Sequence, residues 1–151
     1  MNIWQMTRSW LSIPKCGDPI IISPLPVDLR NLLESKGCMI PNDCYHNCGK
    51  AVSELIPRAR YVLCFASFNQ SDLVGHAVIK LGRRYYDPTL ETQPRLLQRT
   101  KCEFVYSLSR TGLKEFMDAS YSGKPVNRDG LIEVSYPEFL SNGNIGCAGG
   151  N

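Results

Sequence analysis

Two short apolar segments on either side of Gly82-Arg83 constrain the fold of this chain more than any other feature of its sequence. In the stretch GHAVIKLGRRYYDPTLE, residues 75 to 91, HAVIKL and RYYDPT are rich in β-branched and aromatic residues and are separated by a two-residue turn signal. We expect a tight antiparallel hairpin in which Leu81 lies opposite Arg84. Because Pro88 lacks a backbone N–H donor, the ladder should end just after Asp87.

This register also places a histidine and a carboxylate on one face of the hairpin. Val78 faces Asp87, and His76 lies two residues from Val78 on the same strand, so both point to the same side. His76 and Asp87 are then diagonal neighbours, roughly 7–8 Å apart between backbones. If Asp87 accepts an imidazole N–H, it fixes the tautomer and leaves the other nitrogen available as a base. The alternative is that His76 is a polar strand-edge residue and Asp87 opens an ordinary Asp-Pro turn.

The stretch PNDCYHNCGK, residues 41 to 50, predicts a helix with a thiol at its start. Asp43 suits the N-cap position, and the helix is expected to run from Cys44 to about residue 56. The positive end of the helix dipole and the unpaired N–H groups favour a thiolate at Cys44. Cys48, one turn further along, is expected to be an inert core thiol. The residues that share the apolar face are Cys44, Cys48, Ala51, Val52 and Leu55.

The same region contains four candidate zinc ligands, Cys38, Cys44, His46 and Cys48. Structural zinc sites usually present C-x₂₋₄-C pairs, with a second pair well separated in sequence. Here His46 would point away from the face of Cys44 and Cys48, and Cys38 would have to loop back. We therefore expect no metal or other cofactor, and a surface or helix-capping position for His46.

The composition describes a globular protein. The chain has 151 residues, of which 43% are hydrophobic and 21% charged, and its net charge of +3 is spread over scattered basic residues. This pattern excludes an obvious nucleic-acid groove. No apolar run approaches the ~20 residues of a membrane helix, and no signal peptide is evident. Seven cysteines without regular pairing predict a reduced, cytoplasmic protein whose thiols are mostly buried.

The order of elements predicts an α+β fold in which N-terminal helices pack on an antiparallel sheet. Besides the hairpin, helices are expected at 26–37, 44–56 and 111–121, and strands at 19–23, 60–68, 102–109 and 131–136. We expect a single domain of residues 1–151. Within it, a core of about 26–110 carries the candidate site, and residues 142–151 form a glycine-rich, frayed tail.

The segments CYHNCGKAV, YVLCFASF and GHAVIKLGRRYYDPTLE together resemble the papain-like and transglutaminase-like cysteine hydrolases, in particular small bacterial and phage members. In that superfamily, a cysteine at a helix start is followed by a strand that begins with the catalytic histidine, and the next strand carries an Asp or Asn. The resemblance spans about residues 40 to 91. It implies that Cys44 is the nucleophile, that His76 is the general base and acid, and that Asp87 orients His76. The matching residues are Cys44, Tyr45, Asn47, His76, Ala77, Tyr86, Asp87, Pro88 and Thr89.

One position departs from the papain-like pattern. Those enzymes usually have a glutamine shortly before the cysteine that helps to bind the oxyanion, whereas this chain has Asn42. Asn42 could donate its amide N–H alongside the backbone N–H of Cys44, or it could be only a turn residue after Pro41. Asn47 matches the family position, either as a residue supporting the site or through packing at the start of the helix.

The sequence therefore predicts a cysteine-dependent hydrolase or acyltransferase that acts on an amide, thioester or glutamine side chain of a protein or peptide. Two other functions stay open. One is a non-catalytic binding or inhibitory module on the same fold, and the other is a structural component of a larger assembly, such as a phage particle. We expect neither a nucleic-acid partner nor a membrane partner.

Overall fold

The computed structural model describes residues 14–68 and 73–121, which form an antiparallel sheet packed with helices. The α+β class predicted from the order of elements is confirmed. The sheet has the strand order β1-β5-β2-β3-β4, and every neighbouring pair is antiparallel. Its strands are β1 (Pro19–Ile20), β2 (Arg60–Ser67), β3 (Val74–Leu81), β4 (Arg84–Tyr86) and β5 (Lys101–Leu108).

The hairpin has the register that the sequence predicted. Leu81 pairs with Arg84, and Gly82 in the turn has a φ of +63°, a left-handed conformation that glycine adopts without a steric penalty. The last ladder pair joins Ile79 to Tyr86, so the regular pairing stops one residue earlier than predicted. The chain leaves the sheet at Asp87.

The described part of the chain contains four α-helices. They are α1 (Val27–Ser35), α2 (Cys44–Lys50), α3 (Pro94–Arg99) and α4 (Arg110–Tyr121), with a 3₁₀ turn at Leu90–Thr92. The 3₁₀ turn and α3 were not predicted. Helix α3 has only six residues and none of them is buried, so the sequence carries no apolar stripe that would reveal it.

The predicted helix of residues 44–56 has the expected length but changes its geometry. After α2, residues Ala51–Leu55 form a π-helical turn. From the start of α4, the Arg110 Nε donates a 2.8 Å hydrogen bond to the Val52 carbonyl oxygen in this turn. The Val52 carbonyl oxygen, which lies in this wider turn, thus accepts a hydrogen bond from a second helix. A regular α-helix with i→i+4 bonding would not require such a donor.

The core lies on both faces of the sheet, because successive residues of each strand point to opposite sides. One face packs against the helices and includes Leu33 of α1, Cys48 of α2 and Ile79 of β3. The other face is formed around Val62 and Val78, which are fully buried. Helix α2 packs directly on β3, and this contact brings the two predicted chemical stretches together.

The cysteines are not all reduced. Cys16 is disulfide-bonded, which departs from the reduced state that the sequence predicted. Free thiols are found at Cys38, Cys44, Cys48, Cys64 and Cys102. The strand predicted at 131–136 and the tail predicted at 142–151 lie outside the described residues. Among the helices of residues 14–68 and 73–121, none is long and apolar enough to cross a bilayer.

Two adjacent leucines of α1 test the packing of this helix. Leu33 is 0% exposed and Leu32 is 37% exposed. We expect Leu33→Ala to lower the free energy of unfolding by about 2–5 kcal/mol, because it removes buried contacts and leaves a cavity. Leu32→Ala, the matched control, should cost less than about 1 kcal/mol. Urea unfolding followed by circular dichroism measures both, and equal losses would contradict the described packing of α1.

Candidate active site

The histidine and the carboxylate that the hairpin register paired are in direct contact. His76 Nε2 lies 2.7 Å from Asp87 Oδ2, and the side chains are 4% and 0% exposed. His76 lies near the start of β3, and Asp87 follows the end of β4. The side chains therefore meet just beyond the last ladder pair, as diagonal neighbours do.

The second oxygen of Asp87 organises the turn that follows β4. Asp87 Oδ1 accepts the backbone N–H groups of Thr89 at 3.1 Å and Leu90 at 3.0 Å. This arrangement is typical of an aspartate that initiates a turn. Asp87 therefore makes both kinds of contact that the sequence allowed: one oxygen opens the Asp-Pro turn while the other holds the imidazole. The turn contacts fix the direction in which Oδ2 points.

The side chain of His76 also forms a hydrogen bond with the side chain of Cys44, which joins the two stretches predicted to carry the chemistry. Asp87 binds Nε2, and Cys44 is a second side-chain partner of the ring. Burial lowers the pKa of His76, but the hydrogen bonds and charges of Asp87 and Cys44 outweigh it and raise the pKa from 6.5 to about 10. At neutral pH a pKa of this size keeps the ring protonated, with Asp87 as the acceptor at Nε2.

An aromatic ring shields the histidine from a third direction. Phe68 stands edge-on to His76, with ring centroids 5.5 Å apart and an angle of 89° between the planes. Such T-shaped contacts are favourable for aromatic pairs and restrict the rotation of the imidazole. Sequence reasoning gave Phe68 no role, since the aromatic residues of a buried strand suggest only packing.

The two cysteines of α2 differ in accessibility. Cys44 at the helix start is half-buried, whereas Cys48 is fully buried and its Sγ donates to the Ala77 carbonyl oxygen at 3.3 Å. Burial raises the pKa of the Cys48 thiol well above its ordinary value, and the nearby charge of Asp87 adds to this effect. Cys48 therefore has the properties of a core thiol, as the sequence predicted. Asp43 occupies the N-cap position, but the predicted capping hydrogen bond from its side chain is not formed.

Asn47 connects the start of α2 to the turn that holds Asp87. Its side chain is fully buried, and it both accepts from the backbone N–H of Ile40 at 3.0 Å and donates to the Ile40 carbonyl oxygen at 2.8 Å. Its Nδ2 also donates to Thr89 Oγ1 at 2.9 Å. Since the N–H of Thr89 binds Asp87, Asn47 supports the carboxylate through one intervening residue.

Asn42 and His46, two further polar residues of the stretch 41 to 50, have other roles in the fold. Asn42 is exposed and has a φ of +60°, a left-handed conformation that asparagine tolerates in turns. This backbone fits the turn interpretation of Asn42. The ring of His46 lies 3.3 Å from the Gly37 carbonyl oxygen, at the end of the segment that follows α1. His46 therefore ties the helix start to the preceding loop.

The four candidate zinc ligands are used in other ways. Cys48 donates to Ala77, the Cys38 thiol lies 3.8 Å from the Lys36 carbonyl oxygen, and His46 faces Gly37. Across the described ranges, no group of three or more His, Cys, Asp or Glu side chains is arranged to hold a metal ion.

Comparison with known proteins finds no match for this chain. No protein-family model, no curated protein and no solved structure is significantly similar to it. The functional interpretation therefore depends on the chemistry and the geometry of these residues.

The raised pKa of His76 predicts a pH-dependent contribution to stability. A pKa of about 10 in the folded chain, against an ordinary 6.5, stabilises the fold fully below pH 6.5, and this stabilisation is lost as the pH rises through about 10. We expect the difference in unfolding free energy between the wild type and His76→Gln to shrink steadily over that interval. Urea unfolding at a series of pH values measures it. A difference that is constant with pH would contradict the imidazolium assignment.

The contacts of Asn47 predict a large effect of truncation. Asn47→Ala removes three side-chain hydrogen bonds and leaves the partner groups buried. We expect a loss of about 3 kcal/mol in unfolding free energy, at about 1 kcal/mol for each bond. Asn31→Ala, at an exposed position of α1, is the matched control and should change stability by less than about 0.5 kcal/mol. Similar effects of the two substitutions would show that Asn47 does not support the site.

Proposed function

We propose that this chain is a cysteine-dependent hydrolase or acyltransferase that acts on an amide, thioester or glutamine side chain. In this proposal Cys44 is the nucleophile, His76 the general base and acid, and Asp87 the residue that orients His76. The observation that carries the proposal is the continuous chain of side-chain hydrogen bonds from Cys44 through His76 to Asp87.

The two hydrogen bonds of His76, one to Asp87 and one to Cys44, have different roles in the proposed reaction. Asp87 holds Nε2 and stabilises positive charge on the imidazole, and in this proposal Nδ1 exchanges the proton of the thiol. A nucleophile, a base within hydrogen-bond reach and a third group that orients the base form the arrangement by which enzymes activate thiols. We propose that proton transfer from Cys44 to His76 generates the thiolate–imidazolium ion pair that reacts with the substrate.

The chemical steps follow from this ion pair. The Cys44 thiolate attacks the carbonyl carbon of the substrate and forms a C–S bond, and the carbonyl electrons move to the oxygen. When the tetrahedral intermediate collapses, the bond to the leaving group breaks, and the Nδ1 proton of His76 passes to the leaving amine or thiol. His76 then removes a proton from water or an acceptor amine, which attacks the thioester and regenerates Cys44.

The oxyanion of the intermediate requires donors close to Cys44. The backbone N–H of Cys44 belongs to the first turn of α2, where N–H groups have no acceptor within the helix. We assign it as the first oxyanion donor. Asn42 is a candidate for the second, because it is exposed and lies two residues before the nucleophile.

The topology supports extending the proposal to a papain-like or transglutaminase-like core. Cys44 begins helix α2, and this helix packs on the antiparallel sheet. The second strand after the helix, β3, carries His76 near its start, and the next strand, β4, leads to Asp87. A protein or peptide is the substrate we propose. We propose a cytoplasmic location, which the five free thiols of the described residues favour and the disulfide at Cys16 does not.

Acylation by an activated ester tests the proposal without knowledge of the substrate. We expect p-nitrophenyl acetate to acetylate Cys44 in preference to the other thiols, as read by peptide mass spectrometry. His76→Gln should slow this acylation by about 10²-fold or more, because the thiol loses its base. Cys44→Ala should release no p-nitrophenol above the background of the uncatalysed reaction.

Cys48→Ala is the control for a thiol on the same helix. It should keep the acylation rate of the wild type while lowering stability, because Cys48 is buried and bonded to Ala77. If Cys44 reacts no faster than the other thiols, or is unaffected by the loss of His76, the non-catalytic binding module becomes the better interpretation.

A further inference from the structure

Two free cysteines of neighbouring strands lie together on the sheet face opposite the one that packs against α1 and α2. Strands β2 and β5 are antiparallel, with Cys64 opposite Phe104 and Ala66 opposite Cys102. Cys64 and Cys102 are therefore diagonal neighbours on one face of this strand pair. A hydrogen bond joins their side chains. The fold thus holds two thiols in contact within its core.

The two thiols differ in how tightly they hold a proton. The hydrogen bond with Cys64 lowers the pKa of the Cys102 thiol, an effect that burial opposes and the positive charge of His76 assists. The same hydrogen bond, together with burial, raises the pKa of the Cys64 thiol well above its ordinary value. Cys64 therefore keeps its proton, and Cys102 has the greater thiolate character of the two.

Two other buried thiols have different surroundings. The Cys38 thiol lies 3.8 Å from the Lys36 carbonyl oxygen, and the Cys48 thiol lies 3.3 Å from the Ala77 carbonyl oxygen. Burial raises the pKa of both thiols. Since the thiolate is the reactive form of cysteine, Cys102 is better suited to react than either of them.

The position of Cys102 gives a small molecule a route to the pair. Cys102 is 3% exposed and is one of the residues that line a cavity of about 670 Å³ between the β1 edge of the sheet and helix α3. Its ladder partner is Ile20 of β1, a strand of only two residues. Such a short edge strand can open locally at little cost in free energy. Cys64 is fully buried, so an oxidant meets Cys102 first.

We propose that Cys64 and Cys102 form a peroxide-sensitive pair that is oxidised to a disulfide between β2 and β5. The Cys102 thiolate attacks one oxygen of hydrogen peroxide, the O–O bond breaks, and hydroxide leaves while Cys102 becomes a sulfenic acid. The Cys64 sulfur then attacks the Cys102 sulfur. The S–S bond forms, the S–O bond breaks, and the hydroxyl group leaves as water with the proton of Cys64.

These steps reduce hydrogen peroxide to hydroxide and water while the two sulfurs are oxidised. Cys102 is the attacking thiol and Cys64 the resolving thiol. Cys44 takes no part, so this proposal is independent of the hydrolase proposal, and each can fail without the other.

Peptide mapping of the full chain after limited treatment with hydrogen peroxide tests the proposal. Trypsin separates the two cysteines into peptides 61–80 and 102–110, each of which contains no other cysteine. After alkylation of the remaining thiols, we expect these peptides to be cross-linked, with a mass two hydrogen atoms below their sum, and to be released by dithiothreitol. The link should form about tenfold or more faster in the folded chain than in urea, because the fold holds the sulfurs in contact.

Two serine variants separate the roles of the thiols. Cys64→Ser keeps a hydroxyl donor for Cys102 but removes the resolving thiol, so dimedone should trap a sulfenic acid at Cys102. Cys102→Ser should leave Cys64 reduced under the same treatment. Cys38→Ser, at a buried thiol outside the pair, is the matched control and should keep the rate of cross-linking of the wild type. Cys44→Ala should keep that rate as well.

The mapping of the wild type decides the question even if a variant fails to fold. The proposal is overturned if peptides 61–80 and 102–110 are not cross-linked, or if other pairs of cysteines are linked equally fast. It is also overturned if the link forms as fast in urea as in the folded chain. A sulfenic acid trapped at Cys64 in Cys102→Ser would overturn the assignment of Cys102 as the attacking thiol.

Discussion

The hydrogen bond between His76 and Asp87 is the contact on which the rest of the site depends. It forms only because the hairpin register sets β3 and β4 side by side, and because the chain leaves the sheet at Asp87. Two backbone N–H groups donate to the other carboxylate oxygen, and this fixes the direction in which Oδ2 points. The imidazole is thereby held in one orientation, and in the proposed hydrolase this would let the histidine act as a base with little reorganisation.

The parts of the site that the sequence predicted are those that short-range rules determine. A two-residue turn fixes the pairing of the flanking strands, so the contact of His76 with Asp87 could be derived from residue numbers alone. The bond from Asn47 to Thr89 spans 42 residues and depends on how α2 packs against β3. No local rule specifies that packing. The hydrogen bond from Arg110 to the Val52 carbonyl oxygen in the π-helical turn likewise spans 58 residues.

Cys44 and Cys48 lie on the same helix but have different surroundings. Cys44 and Cys48 are four residues apart and were predicted to share one apolar face, a pattern that identifies neither as a nucleophile. Position along the helix axis distinguishes them, because Cys44 begins the helix beside His76 while Cys48 lies against Ala77 in the core. The asparagine between them binds the preceding loop and the Asp87 turn, which fixes the helix start relative to the sheet.

The burial of charge at this site argues for a role beyond stability. His76 and Asp87 are 3% and 0% exposed, and removing two charged groups from water is costly even when they pair. Apolar residues of similar size would often stabilise a fold as well, so a buried, hydrogen-bonded pair beside the half-buried thiol of Cys44 supports the proposed catalytic role.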